Sequence, residues 1–183
     1  LARGITEDAP KLGVLFIAAQ LVDWAFFTFA IFGIEQLRIV PGITAMNPYD
    51  LVFMPYSHSL LATAGWALVF GVVVGVVLRN MVAAAWGVIV VLSHWLLDLL
   101  VHRPDLTIAG GEDKHVLGLW NTPHIEMPLE IGFVLLVYWL YISRTKGPVI
   151  PPLILLWFML LFLVITWFGP HPDTARRRPL LSV

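Results

Sequence analysis

Two histidines and two aspartates stand within or at the edge of long apolar runs, and their types and spacing suit the binding of a cation. His94 and Asp98 belong to Ser93-His94-Trp95-Leu96-Leu97-Asp98. On a helix, this i, i+4 spacing stacks an imidazole and a carboxylate on one face, about 6 Å apart along the axis. His58 follows Met54-Pro55-Tyr56-Ser57, and Asp23 sits in Leu21-Val22-Asp23-Trp24. An ionisable group in hydrocarbon is unfavourable by about 3 kcal/mol or more unless it is paired or bound. Together, Asp23, His58, His94 and Asp98 form a donor set for a hard-to-borderline divalent metal such as zinc or manganese.

Each residue also has a plainer reading, and these alternatives stay open at this point. Ser57 is the expected N-cap of a helix, which puts His58 in its first turn. There the positive end of the dipole favours neutral imidazole, the form that binds metal. The alternative is an interfacial histidine in contact with lipid headgroups. His94 and Asp98 have an alternative as an intrahelical hydrogen-bonded pair at a bundle interface. Asp23 has one as a protonated acid bonded to a neighbouring helix.

The elements that must position these groups are membrane spans. A chain of 183 residues that is 59% hydrophobic and 13% charged lies outside soluble composition. Its mean hydropathy of +0.86 agrees. Five apolar stretches are read at about 12–33, 59–78, 82–101, 128–142 and 149–168. Most reach the roughly 20 residues that cross a bilayer; the fourth does so only if Glu126 to Ser143 are included. Tyr56, Trp120, Tyr138, Tyr141 and Trp167 lie near span ends, as an interfacial belt requires. The expected fold is all-α, a polytopic transmembrane helix bundle forming one integral membrane domain over residues 1–183.

A formal net charge of −1 gives no electrostatic basis for nucleic-acid binding. The absence of cysteine removes disulfides, thiolate metal sites and cysteine nucleophiles together. The Arg176-Arg177-Arg178 run reads as a solvated terminus, with anionic headgroups as its alternative partner. A start at Leu1 in place of methionine is compatible with an upstream segment or a processed leader.

Five spans put the two ends of the bundle on opposite sides. The N-terminal side, side A, carries Arg3, Lys11, Arg79, Arg144 and Lys146, all near span ends. Side B carries Arg38, Arg103, Lys114 and the three tail arginines. Five against six does not decide orientation, but the short side A connections lean it towards the cytoplasm. Side B holds two long connections, about 34–57 and 102–126, punctuated by Pro41-Gly42, Asn47-Pro48 and Gly110-Gly111. They are expected to form a rim or lid. His58, His94, Asp98, His102 and Glu130 all fall towards side B, with Asp23 deeper.

Pro55-Tyr56-Ser57-His58-Ser59-Leu60-Leu61, followed in the next span by Leu92-Ser93-His94-Trp95-Leu96-Leu97-Asp98, resembles the LexA-regulated, membrane-bound metal-dependent hydrolase family. That family shows a Thr-His-Ser-Leu segment and then Ser-His-x-Leu-x-Asp in the following helix. Its earlier acidic motif, Pro-Asp-Ile-Asp-His or similar, has a counterpart here in Leu21-Val22-Asp23-Trp24, which keeps one aspartate and lacks the histidine. Arg103-Pro104-Asp105-Leu106 and Leu117-Gly118-Leu119-Trp120-Asn121 are similar in kind to the family's following proline turn and Trp-Pro element. The resemblance spans about residues 15–125.

The resemblance implies a divalent metal held by His58, His94 and Asp98, with Asp23 as a further ligand or the orienter of a histidine. Metal-acidified water is then expected to attack an ester, phosphoester or amide. Glu130 or His102 is the candidate general base, and Arg103 the candidate binder of a substrate phosphate or carboxylate. A site at the bilayer edge suits a lipid or other amphipathic substrate, and the expected location is the bacterial inner (cytoplasmic) membrane. Two rivals belong to other classes. One is a non-catalytic accessory subunit of a membrane complex, holding a pigment, haem or structural metal. The other is a proton or ion pathway lined by Asp23, Asp98 and Glu130.

Overall fold

The computed structural model describes residues 2–169, so the Arg176–Arg178 run lies outside it. A short helix α1 (Ala2–Ile5) precedes five long ones: α2 (Leu12–Ile31), α3 (Leu60–Leu78), α4 (Met81–Val101), α5 (Pro123–Arg144) and α6 (Ile150–Phe168). All five are long and apolar enough to cross a membrane. The chain is a polytopic helix bundle.

Local chemistry sets the helix ends. Gly33, at φ 72°, closes α2 in a Schellman motif: Ile34 N–H donates to Phe29 O and Gly33 N–H to Ala30 O. That turn sends the next residue, Glu35, back towards the bundle. Helices α3 and α4 are joined through Arg79, which adopts the left-handed conformation, and Asn80. The Asn80 side chain caps α4 by accepting from Val82 N at 2.9 Å and Ala83 N at 3.0 Å. The cap of α3 is Ser59, which accepts from Ala62 N at 3.1 Å. It is not Ser57, so His58 stands just before the helix and not in its first turn. Helix α5 begins at Pro123, five residues before the span read from sequence. Proline is favoured at a first helical position, where its missing N–H has no intrahelical partner to lose.

Helices α2, α3 and α4 form the tightest part of the bundle. Ala18, Val22, Ala67 and Val91 are buried where the three meet. Gly71 faces Val88 so closely that any side chain there would collide with it, and Gly87 lies against the Phe70 ring. Without a hydrophobic drive between helices in lipid, such small-residue contacts are how backbones approach. Helices α5 and α6 pack mainly on each other, joined by a 3.0 Å hydrogen bond from Trp167 Nε1 to Glu130 Oε2.

The long side B connections are ordered, and one contains an element that the all-α reading did not include. Strands β1 (Gln36–Ile39) and β2 (Tyr49–Phe53) pair antiparallel, with Leu37 opposite Leu51 and Arg38 opposite Asp50. The second connection crosses the start of α3, where Thr107 O and Ile108 O accept from Leu60 N and Leu61 N at 3.0 and 2.9 Å. Leu106, fully buried, joins Phe26, Leu51, Met54 and Trp95 in a core beneath this rim.

Candidate metal centre

Four polar side chains from three parts of the bundle meet just below that rim. Asp23 comes from α2, His58 from the approach to α3, and His94 and Asp98 from one face of α4. His58 Nε2 and His94 Nε2 each lie 3.5 Å from Asp23 Oδ1. Asp98 Oδ2 is 3.7 Å from His58 Nε2 and 3.2 Å from His94 Nε2. Asp23, His58 and His94 offer ligand atoms that all fall within 4.8 Å of one another. These separations are longer than the 2.7–2.9 Å of a charge-assisted hydrogen bond. They are close to the edge of a tetrahedron about one ion, about 3.3 Å for ligand bonds of 2.0–2.1 Å. The spacing is therefore compatible with one shared cation.

Hydrogen bonding of the other ring nitrogens supports this fit. His94 Nδ1 is 2.9 Å from Ala19 O, and a carbonyl only accepts, so Nδ1 carries the proton. In the neutral ring, Nε2 then holds a lone pair towards the centre. Among the described residues, His94 Nε2 and Asp98 Oδ2 are buried with no hydrogen-bond partner, although they lie near each other. Two buried acceptors facing one point are satisfied by a cation or by a proton held between them.

His58 is fixed through a longer relay. Its Nδ1 lies 2.8 Å from Ser57 Oγ, and Ser57 Oγ donates to Glu35 Oε2 at 2.6 Å. With the hydroxyl proton committed to the carboxylate, Ser57 Oγ accepts from His58 Nδ1, and Nε2 again faces the centre with its lone pair. Glu35 Oε1 also accepts from Tyr56 N at 2.8 Å and Ser57 N at 3.0 Å. The segment is pinned further by Thr63 Oγ1 donating to Ser57 O and Trp66 Nε1 donating to Tyr56 O. Glu35 was not foreseen from the sequence; its one local signal is a carboxylate directly after a glycine-terminated apolar helix.

The remaining candidates divide. His102 joins the cluster's edge: Nε2 is 3.7 Å from Asp98 Oδ1, and Nδ1 is 3.1 Å from Asp105 Oδ1. Its ring stacks on Trp120, in the 3-10 turn Leu119–Asn121, with centroids 4.2 Å apart. Glu130 is not brought to the cluster, because its carboxylate accepts from Trp167 and ties α5 to α6. Arg103 reaches the rim but is engaged by protein carboxylates. Its Nη2 is 3.0 Å from Asp50 Oδ1 and its Nε 3.9 Å from Asp105 Oδ2. It clamps the hairpin to the second connection and is not a free anion anchor. Asp105, Trp120 and Glu126 are buried or stacked residues of this region that sequence reasoning had not assigned to the site.

A cleft of about 480 Å³ opens beside the centre on side B. His58, Asp105, Thr107, Gly110 and Lys114 are among its lining residues, so one metal-binding candidate is also a wall of the cleft. Asp23 is the most accessible of the four polar groups, its side chain 34% exposed against 4% for His58. Comparisons with known protein families, with curated proteins and with solved structures gave no significant match for this chain.

Proposed function

We propose that this chain is a membrane-embedded, metal-dependent hydrolase that acts on an ester or phosphoester of a lipid or other amphipathic molecule. The observation that carries the reading is the convergence of His58 Nε2, His94 Nε2, Asp23 Oδ1 and Asp98 Oδ2, with both histidines held so that their lone pairs face one point. The donor set suits zinc or manganese. It is also the set implied by the resemblance to the LexA-regulated hydrolases, for which the bacterial inner membrane is the corresponding location.

A divalent ion supplies Lewis acidity, which lowers the pKa of a coordinated water towards neutral and polarises a substrate oxygen. The protein's own groups do the rest. Ser57 Oγ and Ala19 O take the Nδ1 protons of His58 and His94, which leaves Nε2 of each ring as the atom turned to the centre. Asp98 supplies negative charge opposite both rings. Asp23, the most accessible of the four groups, can take a proton with its second carboxylate oxygen.

The depth of the site favours an amphipathic substrate. At 1.5 Å per residue, Asp23 lies roughly 12 Å, His94 roughly 10 Å and Asp98 roughly 5 Å below the side B ends of their helices. In a hydrocarbon core about 30 Å thick, the site therefore runs from the outer third of one leaflet at Asp98 almost to the midplane at Asp23, a depth that an amphipathic molecule reaches from within the bilayer.

Metal analysis of the purified chain beside His94→Ala tests the reading, together with hydrolysis of glycerophospholipid vesicles supplemented with Zn²⁺ or Mn²⁺. The parent is expected to hold metal and the variant to lose at least about tenfold in affinity. Equal metal content in both removes the hydrolase reading. Fixed co-purification with another membrane protein, with no turnover on metal addition, favours the accessory-subunit reading instead.

A further inference from the structure

The side B cleft shares a wall with the candidate metal centre. His58, whose Nε2 lies near Asp23 and Asp98, is also a lining residue of this cavity of about 480 Å³. Small-molecule sites typically enclose about 300–1,000 Å³. A molecule held in the cleft therefore adjoins the centre through His58.

The far wall is the connection between α4 and α5, and it is locked to the segment that carries His58. Thr107 O and Ile108 O accept from Leu60 N and Leu61 N. Gly110, at φ 85°, lies against Pro55 so closely that a Cβ there would stand 2.8 Å from Pro55 Cβ. Thr107 and Lys114 pair antiparallel in an isolated bridge, beside which His115 N donates to Leu106 O at 2.9 Å. Residues directly opposite in such a pair carry their side chains on one face, and both of these line the cleft. The cavity is built without a ligand.

Its charges are only partly used by the protein. Asp105 is engaged by His102 and Arg103. Arg103, the cation expected from sequence to take an anion, is committed to Asp50 and Asp105. Lys114 and Glu112 line the cleft and make no ion pair among the described residues. Thr107 Oγ1 accepts from Gly110 N at 2.9 Å, which leaves its hydroxyl proton available to an anion. An ammonium and a hydroxyl on one face suit a phosphate. Glu112, two residues from Lys114, suits a cation on the same ligand.

We propose that this cleft is the headgroup subsite of the hydrolase and takes a phosphodiester bearing an ammonium group, as in an ethanolamine phospholipid. Lys114 and Thr107 receive the phosphate and Glu112 the amine. The inference rests on the hydrolase reading and names its substrate class.

The test is calorimetric binding to the full chain in detergent, with metal content determined on the same sample. The probes are glycerophosphoethanolamine, glycerophosphate and dihexanoylphosphatidylethanolamine. The parent is expected to prefer glycerophosphoethanolamine to glycerophosphate and to bind the lipid form most tightly. Lys114→Gln is expected to weaken all three by about fivefold or more, and Lys114→Arg to retain most of the affinity. Glu112→Gln should abolish the preference for the amine, and Lys146→Gln, near the side A end of α5, should change nothing. Affinity in Lys114→Gln within about twofold of the parent's overturns the subsite, as does a parent that binds none of the probes. Equal affinity for the soluble and the lipid form overturns the lipid as the source of the headgroup. Metal bound in the same sample leaves the hydrolase reading standing in each case, so the two readings fail separately.

Discussion

Glu35→Gln is the most discriminating single substitution, because it alters no proposed ligand and still reaches the centre through two hydrogen bonds. The amide oxygen of glutamine can keep accepting from Tyr56 N and Ser57 N, now as a neutral acceptor. Its NH₂ group cannot accept from Ser57 Oγ, which at present donates over 2.6 Å. The Ser57 hydroxyl is then free to turn and donate to His58 Nδ1 over the existing 2.8 Å contact. That favours the opposite imidazole tautomer, with the proton on Nε2, where the metal is expected to bind.

Loss of such a supporting partner typically lowers metal affinity 10–100-fold, about 1.4–2.7 kcal/mol. Turning two charge-assisted bonds into neutral ones and losing the third also lowers apo stability by an amount on the order of 2 kcal/mol. The assay is a competitive Zn²⁺ titration against a chelating indicator, with thermal unfolding of the metal-free forms run alongside. Glu130→Gln is the control, since Glu130 contacts Trp167 and not the cluster; its Zn²⁺ affinity should match the parent's. A folded Glu35→Gln protein whose Zn²⁺ affinity stays within about twofold of the parent's would refute the tautomer argument, since that argument requires at least tenfold.

Three further outcomes are expected. Asp23→Asn keeps side-chain size and removes charge, so the variant should insert and fold but lose most turnover and part of its metal; turnover equal to the parent's would make Asp23 a packing residue. Metal affinity should fall as pH is lowered, because protons compete for the Nε2 lone pairs of His58 and His94; full occupancy at about pH 5 would point to a different ligand set. Arg103→Gln should lower stability by about 1–3 kcal/mol and speed proteolysis of the side B connections, since it leaves Asp50 and Asp105 without their cation; loss of substrate affinity with unchanged proteolysis would restore Arg103 as an anion binder.

The helices and the four central polar residues were legible in the sequence for one physical reason: in a lipid-facing run, every charged group is conspicuous. Asp23, His58, His94 and Asp98 stand out against their neighbours, and periodicity alone puts His94 and Asp98 on one face. Geometry was less legible wherever polar residues are ordinary. Glu35, Asp105 and Glu126 lie in or beside connections where carboxylates are common. The role of Glu35 depends on the turn at Gly33 bringing it to Ser57, 22 residues away. The β1–β2 hairpin was hidden because a long proline-containing connection separates its short strands. Helix α5 was read too short because His124 and Glu126 in its first turn interrupt the apolar run, whereas Pro123 is a favoured helix start. Ser57 and Ser59 both suit an N-cap, and only the fold shows that Ser59 takes that role while Ser57 serves the histidine.

The position of the cluster within the bundle follows from its charge. Asp23 and Asp98 approach the same two imidazole nitrogens, and carboxylates at such distances repel strongly in a medium of low dielectric. A loosely packed support would let them move apart whenever no cation is present. Asp98 and His94 sit instead on α4, whose backbone is pressed against α3 by Gly71 and Gly87, and Asp23 sits on α2 one residue after Val22, in the shared core. His58, the one ligand candidate outside a helix, is the one held by a buried carboxylate relay and by backbone contacts from Thr63 and Trp66. Rigid supports are therefore found where the side chains repel, and hydrogen bonds where regular structure is absent. That distribution is what the proposed ion site requires.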